Sequence, residues 1–522
     1  MSGAGRVTAS FPVHLDRGAE ASLPVQLASA LRESIDAGTL LPGELVPATR
    51  DLAQRLGVAR GVVVAAYEQL IGEGYLAATH GRGTQVNPAL ELTELRPDQS
   101  IDRNQAAVTH TGDATRPAMR GATSRTAGSE ATNEKVVTAI EQGERPGPLA
   151  PGAPITDTIV GPAWRTAWKE AASTVDVVPP ALGDPALRRE IAEHLRRMRG
   201  TARAPHDVIV TAGTRDGLGL LLTALGGTRG RELVVGVEDP GLPSLRGTAQ
   251  RTGARIVALP ADRAGLDTSR LPDGLLDVVI VTPSHQYPLG GSLPLPRRRE
   301  LLAWARRNGV VIVEDDFDSE LRYTGSPLPT LAALDDPLDG SVVLLGTFSR
   351  TIALGLAAGY LLAPAGLRAR IEPVRRELGG PVSGIVQAAL ARYLASGELR
   401  RHTARMLRRY AARRDMVSER LAGAGSVRVR PMDGGLHAVI EFTDEPVVGQ
   451  RARSRARGPR EREDAVLAAL CSERLGVQGL RQYWQQRDRD PGMAGLVLGV
   501  GGSDDAVFDR ALTRLRAILD TE

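Results

Sequence analysis

At 522 residues the chain is long enough for two or more domains, and its 42% hydrophobic content supplies a large core. One cysteine, Cys471, excludes an intramolecular disulfide and fits a reducing compartment, and no apolar run approaches the ~20 residues that a membrane span needs. The net charge of +4 argues for no partner by itself, although Lys135 and Lys169 are the only lysines in a basic complement of 65 that is otherwise arginine.

Residues 1–22 have no continuous apolar stretch, so no signal peptide is expected; they read as an arm, and the compartment as the cytoplasm. From Leu23 the pattern becomes regular. Leu27, Leu31 and Ile35 recur at helical spacing and predict the buried stripe of a first helix. Gly38 ends it, and Leu41-Pro42-Gly43 makes a turn. Thr49 is placed to cap a second helix, Arg50–Leu56. A tight turn at Gly57-Val58 leads to a third helix over Ala59–Glu73, with Val63, Ala66 and Leu70 inward and Gly74 as its stop. Tyr75–Thr79 and Gly83–Val86 read as short strands around His80-Gly81-Arg82.

That order describes a winged helix-turn-helix. Over Leu23–Val86 the runs GTLLPGELVPATRDLAQRLGVAR, YEQLIGEGYL and HGRGT resemble the GntR family. The resemblance implies a double-stranded DNA operator as partner, met by Thr49, Arg50, Arg60, Gly61 and Val62 and by the wing residues His80, Gly81 and Arg82. Arginine would grip phosphate or guanine there, and Val62 could touch thymine methyl groups. The chain departs from the family in carrying Ala59-Arg60-Gly61-Val62 where Ser-Arg-Asn-Thr is usual, which removes polar readers. Seven arginines against eight acids in residues 1–90 give no basic footprint either.

Residues 87–150 are rich in Thr, Ala, Gly, Asp, Arg and Pro and read as a flexible linker. Beyond them strands and helices alternate. DVIVTAG, LVVGVEDPG, DVVIVTPS, GVVIVEDD and SVVLLGT are short buried strands, which predicts an α/β domain with a mostly parallel sheet and a site at the strand ends. The large domain is expected over 151–389. A smaller C-terminal lobe over 390–522 contains GGLHAVIEF and LVLGVGG. The run RARSRARGPRERED, near Arg451, reads as an exposed insertion.

Within the large domain, Val343-Leu344-Leu345 leads into Gly346-Thr347-Phe348-Ser349, then Arg350, then Gly359-Tyr360. This resembles the cofactor-lysine segment of fold-type I pyridoxal phosphate (PLP) enzymes, in the form found in MocR-type regulators of the GntR family. The resemblance covers the chain from the winged helix to the C-terminal lobe. It implies a Schiff-base lysine at Arg350, but guanidinium stays protonated and cannot act as that nucleophile. The family's phosphate arginine falls at Ala357, its ring-stacking aromatic at Leu242 within VEDPGLPS, its phenol at Phe317 within VIVEDDFDSELRY, and its YGDPAG tyrosine at Leu182. The pyridinium acid is kept as Asp315. Gly213-Thr214-Arg215, Thr347 and Ser349 keep part of a phosphate cup. Ser284-His285-Gln286-Tyr287-Pro288 keeps the family's SHQ[FY]P.

The sequence therefore predicts a fold-type I PLP-transferase-like α/β domain with a smaller C-terminal α/β lobe, preceded by a winged helix-turn-helix. The expected function is a DNA-binding regulator whose aminotransferase-like domain dimerises and senses a small-molecule effector, with an anion as the candidate, without covalent PLP, catalytic residues or metal. The alternatives are an active PLP-dependent aminotransferase, a PLP-sensing regulator and a ligand-free scaffold. Arg350 is expected either to pair with Asp315 within ~4 Å or to hold an anion beside it.

Overall fold

The computed structural model describes residues 15–16, 23–36, 39–72, 75–79, 83–87, 147–174, 178–227, 231–322, 329–424, 427–431, 434–443, 458–485, 492–502 and 504–521. The first helices are α1 (Leu23–Asp36), α2 (Thr49–Leu56) and α3 (Arg60–Gly72), followed by a hairpin of β1 (Leu76–Thr79) and β2 (Gly83–Val86). The expected stripes form its core: Leu27, Leu31, Ile35, Val63, Ala66 and Leu70 are each fully buried. The Tyr67 hydroxyl donates to the Pro47 carbonyl at 2.8 Å and pins α3 to the segment before α2. Gly57 closes α2 in the left-handed region at φ 62°, where a residue without Cβ fits at no steric cost. Thr49 does not cap α2 as expected. Ala48 holds that position without a side-chain bond, and Thr49 is the first helical residue.

The second body is built on an eight-stranded sheet. Its strands are β3 (Val208–Thr211), β4 (Val234–Asp239), β5 (Arg255–Asp262), β6 (Gly265–Leu266), β7 (Val278–Val281), β8 (Val311–Asp316), β9 (Val342–Thr347) and β10 (Gly359–Leu362), in the spatial order 3-10-9-8-7-4-5-6. Neighbours from β9 across to β5 run parallel; β10 is antiparallel to both β3 and β9, and β6 to β5. Strands covered on both faces need apolar residues at every position. Accordingly β3 and β7 are buried throughout, with Val279 and Val281 entering one layer and Val278 and Ile280 the other.

The smaller lobe pairs β11 (Val427–Val429), β12 (His437–Phe442), β14 (Gly495–Gly499) and β13 (Gln478–Gly479) in that order, all antiparallel. Its core includes Leu149 and Ile155, from the start of the second body. Leu149, inside the stretch read as linker, is fully buried. Its N–H donates to the Leu475 carbonyl at 2.8 Å and its carbonyl accepts from the Gly499 N–H at 2.7 Å. Residues 147–155 thus form a strap stitched to this lobe. The rest of the linker, most of the N-terminal arm and the arginine-rich insertion near Arg451 lie outside the described residues.

Candidate functional site

Two places bring the sequence candidates together. On the winged helix, the Arg60 Nε–H donates to Thr49 Oγ1 at 3.3 Å, so the first turns of α2 and α3 stand side by side. Arg50, Arg60 and Gly61 are exposed there and Val62 is half-buried. His80, Gly81 and Arg82 lie outside the described residues.

The second place is at the C-terminal ends of the parallel strands. Asp315 ends up beside Leu345 in the β8–β9 register, 3% exposed, and its Oδ1 has no hydrogen-bond partner. Burial, then the neighbouring Asp316, push its carboxyl well above the usual range, against a smaller opposing pull from Arg350. Glu238, at the end of β4, accepts from the Thr282 N–H at 3.1 Å and its hydroxyl at 2.5 Å. Burial outweighs those bonds and raises Glu238 to about 7.

Arg350 follows β9 and is half-buried. It stands near enough to the pocket for its charge to lower the pKa values of Asp315, Tyr287, Tyr483 and His437. The direct pair with Asp315 does not form. The Arg350 Nη1–H donates instead to the Gly152 carbonyl, on the strap. A carboxyl that burial drives toward its neutral form attracts a cation weakly, whereas a carbonyl oxygen accepts a guanidinium hydrogen bond at any pH. Gly152 sits at φ 81°, and a Cβ there would collide with the guanidinium.

Leu242 and Phe317 share one apolar cluster with Tyr287, Val439, Leu480, Tyr483 and Val497. Phe317 meets Tyr287 edge-on, with centroids 5.5 Å apart. Tyr287 also lies 3.3 Å, oxygen to oxygen, from Tyr483, whose carbonyl accepts the Gly241 N–H at 3.1 Å. Tyr483, which sequence reasoning missed, therefore seals the turn that carries Leu242. It lies in a 3-10 turn with no periodic signal. Leu182 packs, as Leu242 also does, against the core layer that contains Ile209 and Leu218, and its carbonyl accepts the Val210 N–H at 2.9 Å.

Gly213 caps the helix Thr214–Gly226 at φ 102°. Thr214 is half-buried and Arg215 exposed. Thr347 Oγ1 accepts the Ser349 N–H at 3.1 Å. Ala357 is exposed, in a left-handed conformation at φ 43°. His285 faces Asp318 at 2.9 Å rather than the ring space. Two further groups escaped notice in the sequence. Asp316 forms a buried pair with Arg199 at 3.0 Å, and His437 stacks obliquely on Tyr287 with centroids 4.5 Å apart. Neither Arg199 nor His437 lies in a motif that would single it out.

Residues 23–86 match the model of bacterial regulatory proteins of the gntR family, and residues 149–478 match aminotransferase class I and II. The chain is 41% identical over 497 residues to the HTH-type pyridoxine biosynthesis transcriptional regulator PdxR of Corynebacterium glutamicum, covering 95% of this chain and 96% of that one. It is 31% identical to the probable rhizopine catabolism regulatory protein MocR of Rhizobium meliloti, covering 96% and 95%. The chain belongs to the MocR-type GntR regulators. Solved structures agree on the fold of the second body. An archaeal alanine:glyoxylate aminotransferase superposes with a TM-score of 0.63 at 20% identity, covering 75% of this chain and 95% of that one. Kynurenine aminotransferase of Pyrococcus horikoshii gives 0.61 at 21%, covering 77% and 95%.

This regulator is therefore a DNA-binding transcription factor with an aminotransferase-like domain. The cofactor of that fold, PLP, is matched by only some of its residues. The unpartnered Asp315 Oδ1 suits a ring N–H, and the Gly213 helix start suits a phosphate. Arg350 offers no amine to condense with an aldehyde, and Leu242 and Phe317 supply neither an aromatic stack nor a phenol. Lys169 is exposed on the helix Pro162–Ala172, and Lys135 lies outside the described residues. The described side chains of this site thus match the cofactor at Asp315 and at the Gly213 helix start, and position 350 offers a guanidinium rather than an amine. Among the described residues no helix is long and apolar enough to cross a membrane.

Proposed function

We propose that this regulator acts in the cytoplasm as a homodimer and that its aminotransferase-like domain serves as dimerisation platform and effector sensor, without covalent PLP and without enzymatic activity. The domain limits that go with this reading are 23–86 for the DNA-binding head, 87–150 for the linker except for residues 147–150, which belong to the strap on the smaller lobe, and 151–389 and 390–522 for the two lobes. Thr49, Arg50, Arg60, Gly61, Val62, His80, Gly81 and Arg82 contact the operator. The observation that carries the reading is Arg350, a permanently charged donor fastened to the Gly152 carbonyl at the position where a Schiff base needs an amine. The effector is a small anion, held by the Gly213-Thr214 helix start and by Arg350.

Purified protein incubated with PLP and borohydride is expected to carry no PLP adduct by mass spectrometry. A stable adduct at Lys169 or Lys135 would overturn the reading and return the chain to the aminotransferases. Arg350→Lys alone should restore little, since Leu182, Leu242, Phe317 and Ala357 remain. Gel-shift titration with candidate anions separates an effector sensor from a constitutive binder.

One observation favours a second reading, reversible sensing of a B6 vitamer. The Asp315 Oδ1 is buried without a partner, and a relative is named for pyridoxine biosynthesis. PLP binding that dialysis reverses and Asp315→Asn abolishes would select it; binding that ignores Asp315→Asn would remove it.

A further inference from the structure

We infer that His285, Asp318 and His437 form a binding site for one transition-metal dication of the Zn2+ class, set in the seam between the large domain and the smaller lobe. His285 lies in the loop after β7, Asp318 just past β8, and His437 opens β12. The three are 2–7% exposed, and one donor atom of each lies within 4.8 Å of the others.

The hydrogen bonds around them leave one donor atom free, on His437. His437 Nε2 lies 2.8 Å from the Pro288 carbonyl oxygen. A carbonyl only accepts, so Nε2 carries the proton and Nδ1 keeps its lone pair. That Nδ1 is buried and has no partner. A backbone carbonyl that fixes the tautomer of an imidazole is the outer-shell support that zinc-binding histidines use. Asp318 is held on both oxygens, Oδ1 at 2.9 Å from His285 Nδ1 and Oδ2 accepting the Leu436 N–H at 3.2 Å. Its carboxylate is thereby fixed on the imidazole that faces it.

Two imidazoles and one carboxylate suit Zn2+, and three protein ligands leave a fourth position open for water or an anion. Entry of the ion at His285 Nδ1 displaces the proton that faces Asp318 Oδ1 onto Nε2 of the same imidazole, so the neutral ring becomes a ligand without net loss of a proton and without redox change. Two clefts of about 10 Å³ each border His285, one beside Ser292 and Arg322, the other beside Pro431 and His437. Gly435, at φ 81°, makes the approach possible, because a Cβ there would collide with the His285 ring and the Asp318 carboxylate. With two ligands from the large domain and one from the smaller lobe, the ion fastens the lobes together.

The test uses untagged full-length protein, stripped by chelator and titrated with Zn2+ or Co2+. One ion per chain should survive gel filtration. Co2+ should give visible d–d absorption without a thiolate charge-transfer band, because the exposed Cys471 is not a ligand. His437→Gln and Asp318→Asn should each weaken binding by about tenfold or more, with the circular dichroism spectrum unchanged. Should a variant fail to fold, histidine-labelled nitrogen NMR of the wild type decides: Zn2+ must shift the signals of two of the eight imidazoles. Failure of the wild type to retain an ion, undiminished binding in both folded variants, a thiolate band, or any other number of shifted imidazoles would overturn the site.

Discussion

Replacing Arg350 by alanine asks what the arginine contributes in place of an amine. Its Nη1–H donates to the Gly152 carbonyl, and a hydrogen bond from a charged donor is worth about 1.5–3 kcal/mol. Arg350 is only half-buried, so water replaces part of that bond, and freeing the side chain returns some of its rotamer entropy of about 2 kcal/mol. The net loss is expected at about 1–2 kcal/mol. Asp315 adds little, because its carboxyl is already pushed toward the neutral form and removal of a nearby cation pushes it further the same way. Urea unfolding followed by tryptophan fluorescence reports the relevant part, since Trp164, Trp168, Trp304 and Trp484 all lie outside the winged helix. A chain of several domains need not unfold in two states, so midpoints are compared only where the slope m is unchanged. The exposed Arg251, changed to alanine, serves as control and should shift stability by no more than about 0.5 kcal/mol. Equal midpoints for Arg350→Ala and Arg251→Ala would refute the reasoning.

On the DNA side, Arg60→Ala should cost about 1–3 kcal/mol in operator binding by fluorescence anisotropy at fixed salt. Unchanged affinity in both Arg60→Ala and Arg82→Ala would remove the groove assignment. Glu238 supplies a pH dependence. Its pKa rises from 4.5 to about 7 on folding, so its favourable contribution is complete below pH 4.5 and is lost as pH rises through 7. The loss amounts to about 3 kcal/mol at 1.36 kcal/mol per pH unit. Glu238→Gln should therefore gain stability relative to the wild type between pH 5 and pH 8, and parallel stability–pH curves would contradict the assignment. Glu314, raised in the same way, is common to both proteins and drops out of the comparison. Gly435→Ala meets both an unfavourable φ and two buried side chains, so it should lower the melting temperature markedly. A melting temperature within a degree of the wild type would show that the loop relaxes freely.

Much of the fold was legible because its signals are local. The 3–4 spacing of Leu27, Leu31 and Ile35 and the unbroken apolar runs of β3, β7, β8 and β9 each answer to one element's own periodicity. β10 was missed although its first two residues were quoted, because Gly359–Leu362 follows a turn in a small-residue stretch and pairs antiparallel on both sides. The pocket positions were readable one at a time from the motifs that carry them. Their partners were not. Nothing near Arg350 in sequence points to Gly152, 198 residues earlier, and nothing near Asp318 points to Leu436, 118 residues later. The expected Arg350–Asp315 pair rested on the ring space between the two positions and on their opposite charges, and neither could register that burial pushes the acid toward its neutral form or that the strap offers a carbonyl.

The strap has a consequence for the order in which the molecule is made. The winged helix closes its core within about 65 residues, so it can fold soon after leaving the ribosome. Leu149 must wait for Leu475 and Gly499, the second of which emerges about 350 residues later. At a synthesis rate of about 5–20 residues per second, that wait is about 20–70 s. Throughout it a folded DNA-binding head trails an unfinished body, and the Gly152 carbonyl that receives Arg350 belongs to a segment still lacking its β14 support. Release of the last strand is thus the step that locks the strap in place.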